Sequence, residues 1–183
     1  MSYIVRGRLM WRLAICLSLF ALTTHAKNLE LQKDSRSIFI QEKEDWVLGK
    51  DLFGMPFIYF SPQVNGQRSN ISFTDTGAEF ELDAKSLSTT QDKYQANKKL
   101  WAEKVGATPV SFMPYETSVN QRGHKVHKIG FIYQHEGRTY NEKSYYIECR
   151  GKILFSKSLR LSENAAHDKD FSDLISSIDC GGV

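Results

Sequence analysis

The sequence has few cysteines and prolines, little net charge and no long apolar run. Its 183 residues include three Cys, four Pro and 12 Gly, and 24 Lys+Arg stand against 21 Asp+Glu. With 41% hydrophobic and 25% charged residues, the composition excludes a collagen-like or a disordered chain. The length fits one domain of average size, and it is too short for a polytopic membrane protein or a multidomain enzyme.

The longest apolar run covers residues 13–22 and is interrupted only by Ser18. A helix needs roughly 20 apolar residues to cross a bilayer, so this run is too short for a stable transmembrane anchor. The run follows a start with three arginines, and it precedes Thr24-His25-Ala26, a pattern typical of a secretory signal peptide. We therefore predict a signal peptide at 1–26, cleavage after Ala26, and export to the periplasm or the medium. A buried N-terminal helix is the alternative.

Cleavage would also remove the net charge. Residues 1–26 contain three basic and no acidic residues, which leaves 21 of each sign. Binding to nucleic acid through bulk charge is therefore not expected. The remaining charge is uneven, because residues 122–160 contain nine basic and three acidic side chains. Either basic strands lie beside an acidic helix, or a basic face meets an acidic partner or anionic lipid. The predicted partner is an unidentified protein or envelope component.

Two cysteines, Cys149 and Cys180, follow the predicted cleavage site. An even count in an exported protein favours a disulfide over a metal site or a nucleophile. Closing a loop of about 30 residues is worth about 3–4 kcal/mol in the chain-entropy model. Tyr145, Ile147 and Cys149 share one face of a predicted strand, and Cys180 closes a helix that should pack on that face. Two free thiols are the alternative.

The apolar pattern predicts short strands, then a helix, an antiparallel meander and a closing helix. The first helix begins near Leu87, ends at Gly106 and has an apolar face at heptad-like spacing. Three alternating strands joined by tight Gly-centred turns cover about 124–161. The closing helix runs from about Asn164 to Ile178. We expect a leader segment at 27–44 with one short strand, and a single α+β domain at 45–183 in which helices flank an antiparallel sheet.

This order of elements resembles the PsbP-like α/β/α sandwich. The similarity covers roughly residues 45–180 and consists of apolar spacing in five segments: Trp46-Val47-Leu48, Phe57-Ile58-Tyr59-Phe60-Ser61-Pro62, Asn70-Ile71-Ser72-Phe73, the helix around Trp101, and 171–178. Members include the extrinsic photosystem II protein and exported bacterial proteins. The resemblance implies a binding or assembly platform rather than a catalyst. No functional residues transfer from the family to this sequence.

The sequence contains no motif of catalysis or metal binding. It lacks Gly-x-Ser-x-Gly, His-Glu-x-x-His, a phosphate loop and an EF-hand pattern. His124 and His127 point to opposite faces of the predicted strand. We interpret His127 and His135 as edge histidines that flank a core face, and His167 as solvated at a helix start. The prediction is no catalytic residue, no metal site and no cofactor.

Tyrosines concentrate on one predicted hairpin, at positions 133, 140, 145 and 146. Such stripes are usually core residues and cross-strand pairs. The alternative is an exposed aromatic surface that binds a peptide, glycan or protein, with Tyr133, His135 and Tyr145 as the candidate binding residues. We predict an exported, non-catalytic accessory or binding protein. The alternatives are a secreted factor that acts on another cell and a hydrolase whose site is assembled from separated strands.

Overall fold

The computed structural model describes residues 28–33, 36–76 and 84–181. The predicted signal peptide and its cleavage site lie outside these residues. The described part forms two antiparallel sheets and two helices. Their elements are β1 (Asn28–Lys33), β2 (Arg36–Gln41), β3 (Val47–Leu52), β4 (Met55–Val64), β5 (Gln67–Asp75), α1 (Ala84–Val105), β6 (Thr108–Val119), β7 (Lys125–His135), β8 (Arg138–Cys149), β9 (Lys152–Leu161), α2 (His167–Ser177) and β10 (Asp179–Cys180). None of the helices in these ranges has the length and apolar character needed to cross a membrane.

The large sheet has seven strands in the order β3-β4-β5-β9-β8-β7-β6, and every neighbouring pair is antiparallel. The predicted meander is confirmed as β7, β8 and β9. Two tight turns join these strands, and both place a Gly and the residue before it at positive φ, with Gly137 at 72° and Gly151 at 77°. Two successive residues at positive φ are typical of the two-residue turns that join antiparallel strands, and such turns favour glycine because it adopts positive φ without strain.

The small sheet contains β1, β2 and β10 in the order β1-β2-β10. The segment predicted as a leader with one short strand therefore forms a two-stranded hairpin. Leu31, Ile38 and Ile40 are buried, and they pack in one apolar cluster with Phe171 and Leu174 of α2. The hairpin is stable because it packs against a helix that lies far away in the sequence.

Two apolar clusters lie on opposite faces of the large sheet. Phe131 and Tyr133 pack with residues of α1, whereas Tyr145 and Ile147 pack with residues of α2. The register pairs Tyr145 with Lys128, and because side chains alternate along a strand, Tyr145 points away from Phe131. We call the two sides of the sheet the α1 face and the α2 face.

A disulfide joins Cys149 at the end of β8 to Cys180 in β10, with 5.6 Å between their Cα atoms. The predicted pairing is confirmed. The bond connects the large sheet to the small sheet on the α2 face.

Candidate functional site

A groove of about 370 Å³ lies between α1 and the α1 face of the large sheet. We call it the α1 groove. One wall is a stripe on α1, and the floor is a block of four residues on β8 and β9: Thr90, Lys93, Tyr94, Asn97 and Lys98 in the wall, with Ser144, Tyr146, Phe155 and Lys157 in the floor.

Local structure explains why these residues meet. The wall residues follow the spacing i, i+3, i+4, i+7 and i+8, which places them on one side of a helix. In the floor, Ser144 pairs with Lys157 and Tyr146 pairs with Phe155 across the two strands. Such neighbours on one face of an antiparallel pair lie side by side. Wall and floor are therefore each set by regular secondary structure.

The position of α1 is set by aromatic packing beside the groove. The Trp101 ring meets Phe131 and Tyr133 edge-on, with centroids 5.9 and 5.1 Å away. Phe131 in turn stacks between Phe112 and Tyr133. These contacts hold α1 over β6 and β7, so the helix covers only part of the α1 face and the floor residues on β8 and β9 line an open groove.

Lys98 and Glu142 form an ion pair at the edge of the groove. Glu142 is buried, and the Lys98 ammonium also lies 5.1 Å from the centre of the Phe131 ring and 5.6 Å from that of Trp101. Cations are attracted to the faces of aromatic rings. The charge of Lys98 is thus satisfied within the protein.

Lys93 and Lys157 differ from Lys98, because neither has an ion-pair partner among the residues that the structure describes. Tyr94, next to Lys93 on the helix, also lines the groove. Burial raises the pKa of the Tyr94 phenol, and the nearby Glu142 carboxylate raises it further. The phenol therefore keeps its proton at neutral pH. The groove offers two ammonium groups and an Asn97 amide beside the aromatic rings of its floor, whereas the Tyr94 hydroxyl oxygen is buried.

A second groove, of about 160 Å³, lies on the α2 face between α2 and strands β6 and β7. Tyr145 lines it, and burial raises the pKa of its hydroxyl to about 12. Its charged residues, Lys128 and Glu116, are paired with each other at 2.7 Å. This groove is smaller than the α1 groove, and its two charges neutralise each other.

The three candidate binding residues do not lie together. Tyr133 is buried under Trp101 on the α1 face, and Tyr145 is buried on the α2 face. His135 lies at the end of β7, where its Nε2 is 3.9 Å from Glu136. Tyr145 lines the smaller groove, and none of the three residues lines the α1 groove.

His127 and His167 are both buried in hydrogen-bonded positions. The Nε2 atom of His127 lies 2.7 Å from Glu148 Oε1, and its Nδ1 atom lies 3.2 Å from Thr117 Oγ1. The prediction that His167 is solvated is wrong, because its Nδ1 atom lies 2.7 Å from the Ser69 hydroxyl in the interior. Among the described residues, no three His, Cys, Asp or Glu side chains are placed to hold a metal ion.

The charges at the start of α2 form a network with the large sheet. Asp168 accepts hydrogen bonds from Arg160 and from Lys143, the latter at 2.6 Å. Burial disfavours the charged form of Asp168, but these two cations outweigh it, and the pKa of Asp168 lies below its usual value. Two of the nine basic residues in 122–160 are thus neutralised by the acidic helix, as one interpretation of the charge pattern predicted.

Two solved structures share the arrangement of these elements. PsbP of the cyanobacterium Synechocystis sp. PCC 6803 gives a TM-score of 0.58 at 10% identity, over 90% of this chain and 99% of that one. LpqN, involved in cell envelope biogenesis of Mycobacterium tuberculosis, gives 0.53 at 13% identity, over 86% and 92%. The chain has a PsbP-like fold. The predicted resemblance is confirmed for the fold. No protein-family model and no curated protein matches the sequence.

Helix α1 and strands β8 and β9 form the groove, and the side chains of this sequence decide its chemistry. Sequence reasoning missed Lys93, Asn97 and Lys157. One signal could have identified Lys157, because it interrupts an otherwise apolar row on its strand, between Phe155 and Leu159. A charged residue in such a row either has a partner or borders a cavity.

Proposed function

We propose that this chain is an exported, non-catalytic binding or accessory protein, arranged as an α/β/α sandwich, whose ligand occupies the α1 groove. The observation that carries the proposal is the groove itself, with two ammonium groups that lack partners among the described residues and an aromatic floor. A concave site that combines apolar side chains with a few polar or charged groups is typical of a small-molecule binding site.

Two observations support export. Residues 1–26 have the pattern of a signal peptide, and disulfides such as Cys149–Cys180 persist mainly in oxidising compartments. Mass spectrometry of the protein isolated from the cell envelope tests this part of the proposal. We expect an N-terminus at Lys27, and retention of residues 1–26 would contradict it. Recovery from the medium instead of the periplasm would favour the secreted factor.

Ligand binding in the α1 groove can be tested by filling it. Asn97 lines the groove, whereas Glu103 lies on an exposed part of the same helix. We expect Asn97→Trp to lose the compounds that the wild-type protein retains from a cell-envelope extract, as detected by mass spectrometry after denaturation, and Glu103→Trp to keep them. If Asn97→Trp retains the same compounds as the wild type, the groove is not the binding site.

A hydrolase is the second candidate, favoured by the row of Thr117, His127 and Glu148. Because a carboxylate only accepts hydrogen bonds, a neutral His127 would donate from Nε2 to Glu148 and accept the Thr117 hydroxyl proton at Nδ1. This is the order of nucleophile, base and acid in a catalytic triad. Hydrolysis of p-nitrophenyl acetate that is lost in both Thr117→Val and His127→Gln would support the hydrolase. A rate equal to that of buffer would contradict it.

A further inference from the structure

The most informative feature beyond the presence of a groove is the combination of groups that line it. Resting on the proposed function above, we infer that the α1 groove binds a small molecule with a flat apolar body and one anionic group, such as a carboxylate, sulfonate or phosphate. Charge, floor chemistry and size each contribute to this assignment.

The charge of the groove is positive. Of its three lysines, Lys98 is paired with Glu142, while Lys93 and Lys157 have no ion-pair partner among the described residues. Lys93 lies in the helical wall and Lys157 in the strand floor, so an anion in the groove has a cation on either side. Hydrogen bonds from an ammonium to an anion are among the strongest that proteins make.

The floor of the groove fits an apolar body. Tyr146 and Phe155 are half-buried, and their ring centroids are 5.2 Å apart at an interplanar angle of 50°. Aromatic side chains bind flat apolar groups by stacking or edge contacts. Asn97 adds a hydrogen-bonding amide along the wall. A ligand that is anionic throughout would leave the rings unused.

The size of the groove separates a small molecule from a macromolecule. Its volume of about 370 Å³ falls at the lower end of the range for small-molecule sites, roughly 300–1,000 Å³. The groove on the α2 face is about 160 Å³, below that range, and its Lys128 is already paired with Glu116. The α1 groove is therefore the better candidate for an anion of this kind.

Two dyes with the same ring system test the inference. Anilinonaphthalene sulfonate carries one anionic group, and phenylnaphthylamine carries none. Their fluorescence is titrated against the protein as isolated from the cell. The test variant combines Lys93→Gln with Lys157→Gln. The matched control combines Lys99→Gln with Lys104→Gln, which removes the same charge from exposed sites on α1 that do not line the groove.

We expect the test variant to bind the sulfonate dye about tenfold more weakly, since it loses charge-assisted hydrogen bonds, and to bind the neutral dye as the wild type does. The control should bind both dyes normally, and thermal unfolding confirms that each variant is folded. If the test variant binds the sulfonate dye as the wild type does, while Asn97→Trp binds neither dye, the anion assignment is overturned. The proposal that the α1 groove is the binding site is then still supported. Binding of both dyes that survives Asn97→Trp, or no binding to the wild type, overturns both proposals.

Discussion

The α1 face and the α2 face of the large sheet both bury aromatic and aliphatic side chains, but they differ in whether their charged side chains are paired. On the α2 face, Asp168 neutralises Arg160 and Lys143, and the cover includes a helix, a small sheet and a disulfide. On the α1 face, the cover described by the structure is mainly α1, and Lys93 and Lys157 border an open groove.

This difference links the α2 face mainly to the stability of the fold and the α1 face to ligand binding. The α2 face joins residues from distant parts of the chain: His167 bonds to Ser69, Lys43 bonds to Asp170 and Asp173, and Cys180 is bonded to Cys149. Such long-range links oppose local opening. The α1 face leaves polar groups for which the described residues provide no partner. We therefore expect changes on the α2 face to alter stability alone, and changes on the α1 face to alter stability and binding together.

The largest expected effect is loss of the disulfide. Replacing Cys149 and Cys180 by Ala removes the constraint on a loop with a sequence separation of 31, and the free energy of unfolding should fall by about 3–4 kcal/mol. Denaturant unfolding measures the change, and reduction of the wild type should reproduce it. Because the bond lies on the α2 face, the folded variant should bind both dyes as the wild type does. Weakened dye binding would show that the two faces are coupled.

A smaller effect is expected from breaking the ion pair between Lys98 and Glu142. Lys98→Met leaves a buried carboxylate without its cation, which should lower the free energy of unfolding by about 3 kcal/mol. Combining Lys98→Met with Glu142→Leu removes both charges and should recover most of the loss, which denaturant unfolding can measure. A single variant as stable as the wild type would mean that the Glu142 carboxylate reaches water.

The parts of the fold that depend on local pattern were predictable. The meander follows from alternation and from glycines that adopt positive φ in its turns, and the closing helix follows from apolar residues at i, i+3, i+4 and i+7. The disulfide follows from the parity of Cys149 within its strand. The helix begins at His167 rather than Asn164, because residues 162–166 form turns in which the backbone NH of His167 donates to the carbonyl of Asn164.

The parts that depend on distant contacts were not predictable. His167 is buried because its partner, Ser69, lies 98 residues away, so nothing near His167 in the sequence indicates burial. The hairpin of β1 and β2 is stabilised by α2 at the other end of the domain. The α1 groove needs both a helix and two strands that follow it by about 50 residues, and only the position of Lys157 in an apolar row indicated it in advance.

The smallest effect, and the most specific to the α2 face, is a pH dependence that comes from Asp168. Folding lowers the pKa of this carboxyl because Arg160 and Lys143 favour its charged form more than burial opposes it. A lowered pKa stabilises the fold above the ordinary value of about 3.9, and the contribution disappears as the pH falls through the folded value. Asp168→Asn should therefore be less stable than the wild type at pH 7, and the difference should shrink on acidification.

Glu163→Gln removes the same charge from an exposed site just before α2, so its difference from the wild type should be small at either pH. Thermal unfolding at several pH values measures both, and a deficit of Asp168→Asn that stays constant down to acid pH would show that the carboxylate charge is not what its neighbours stabilise.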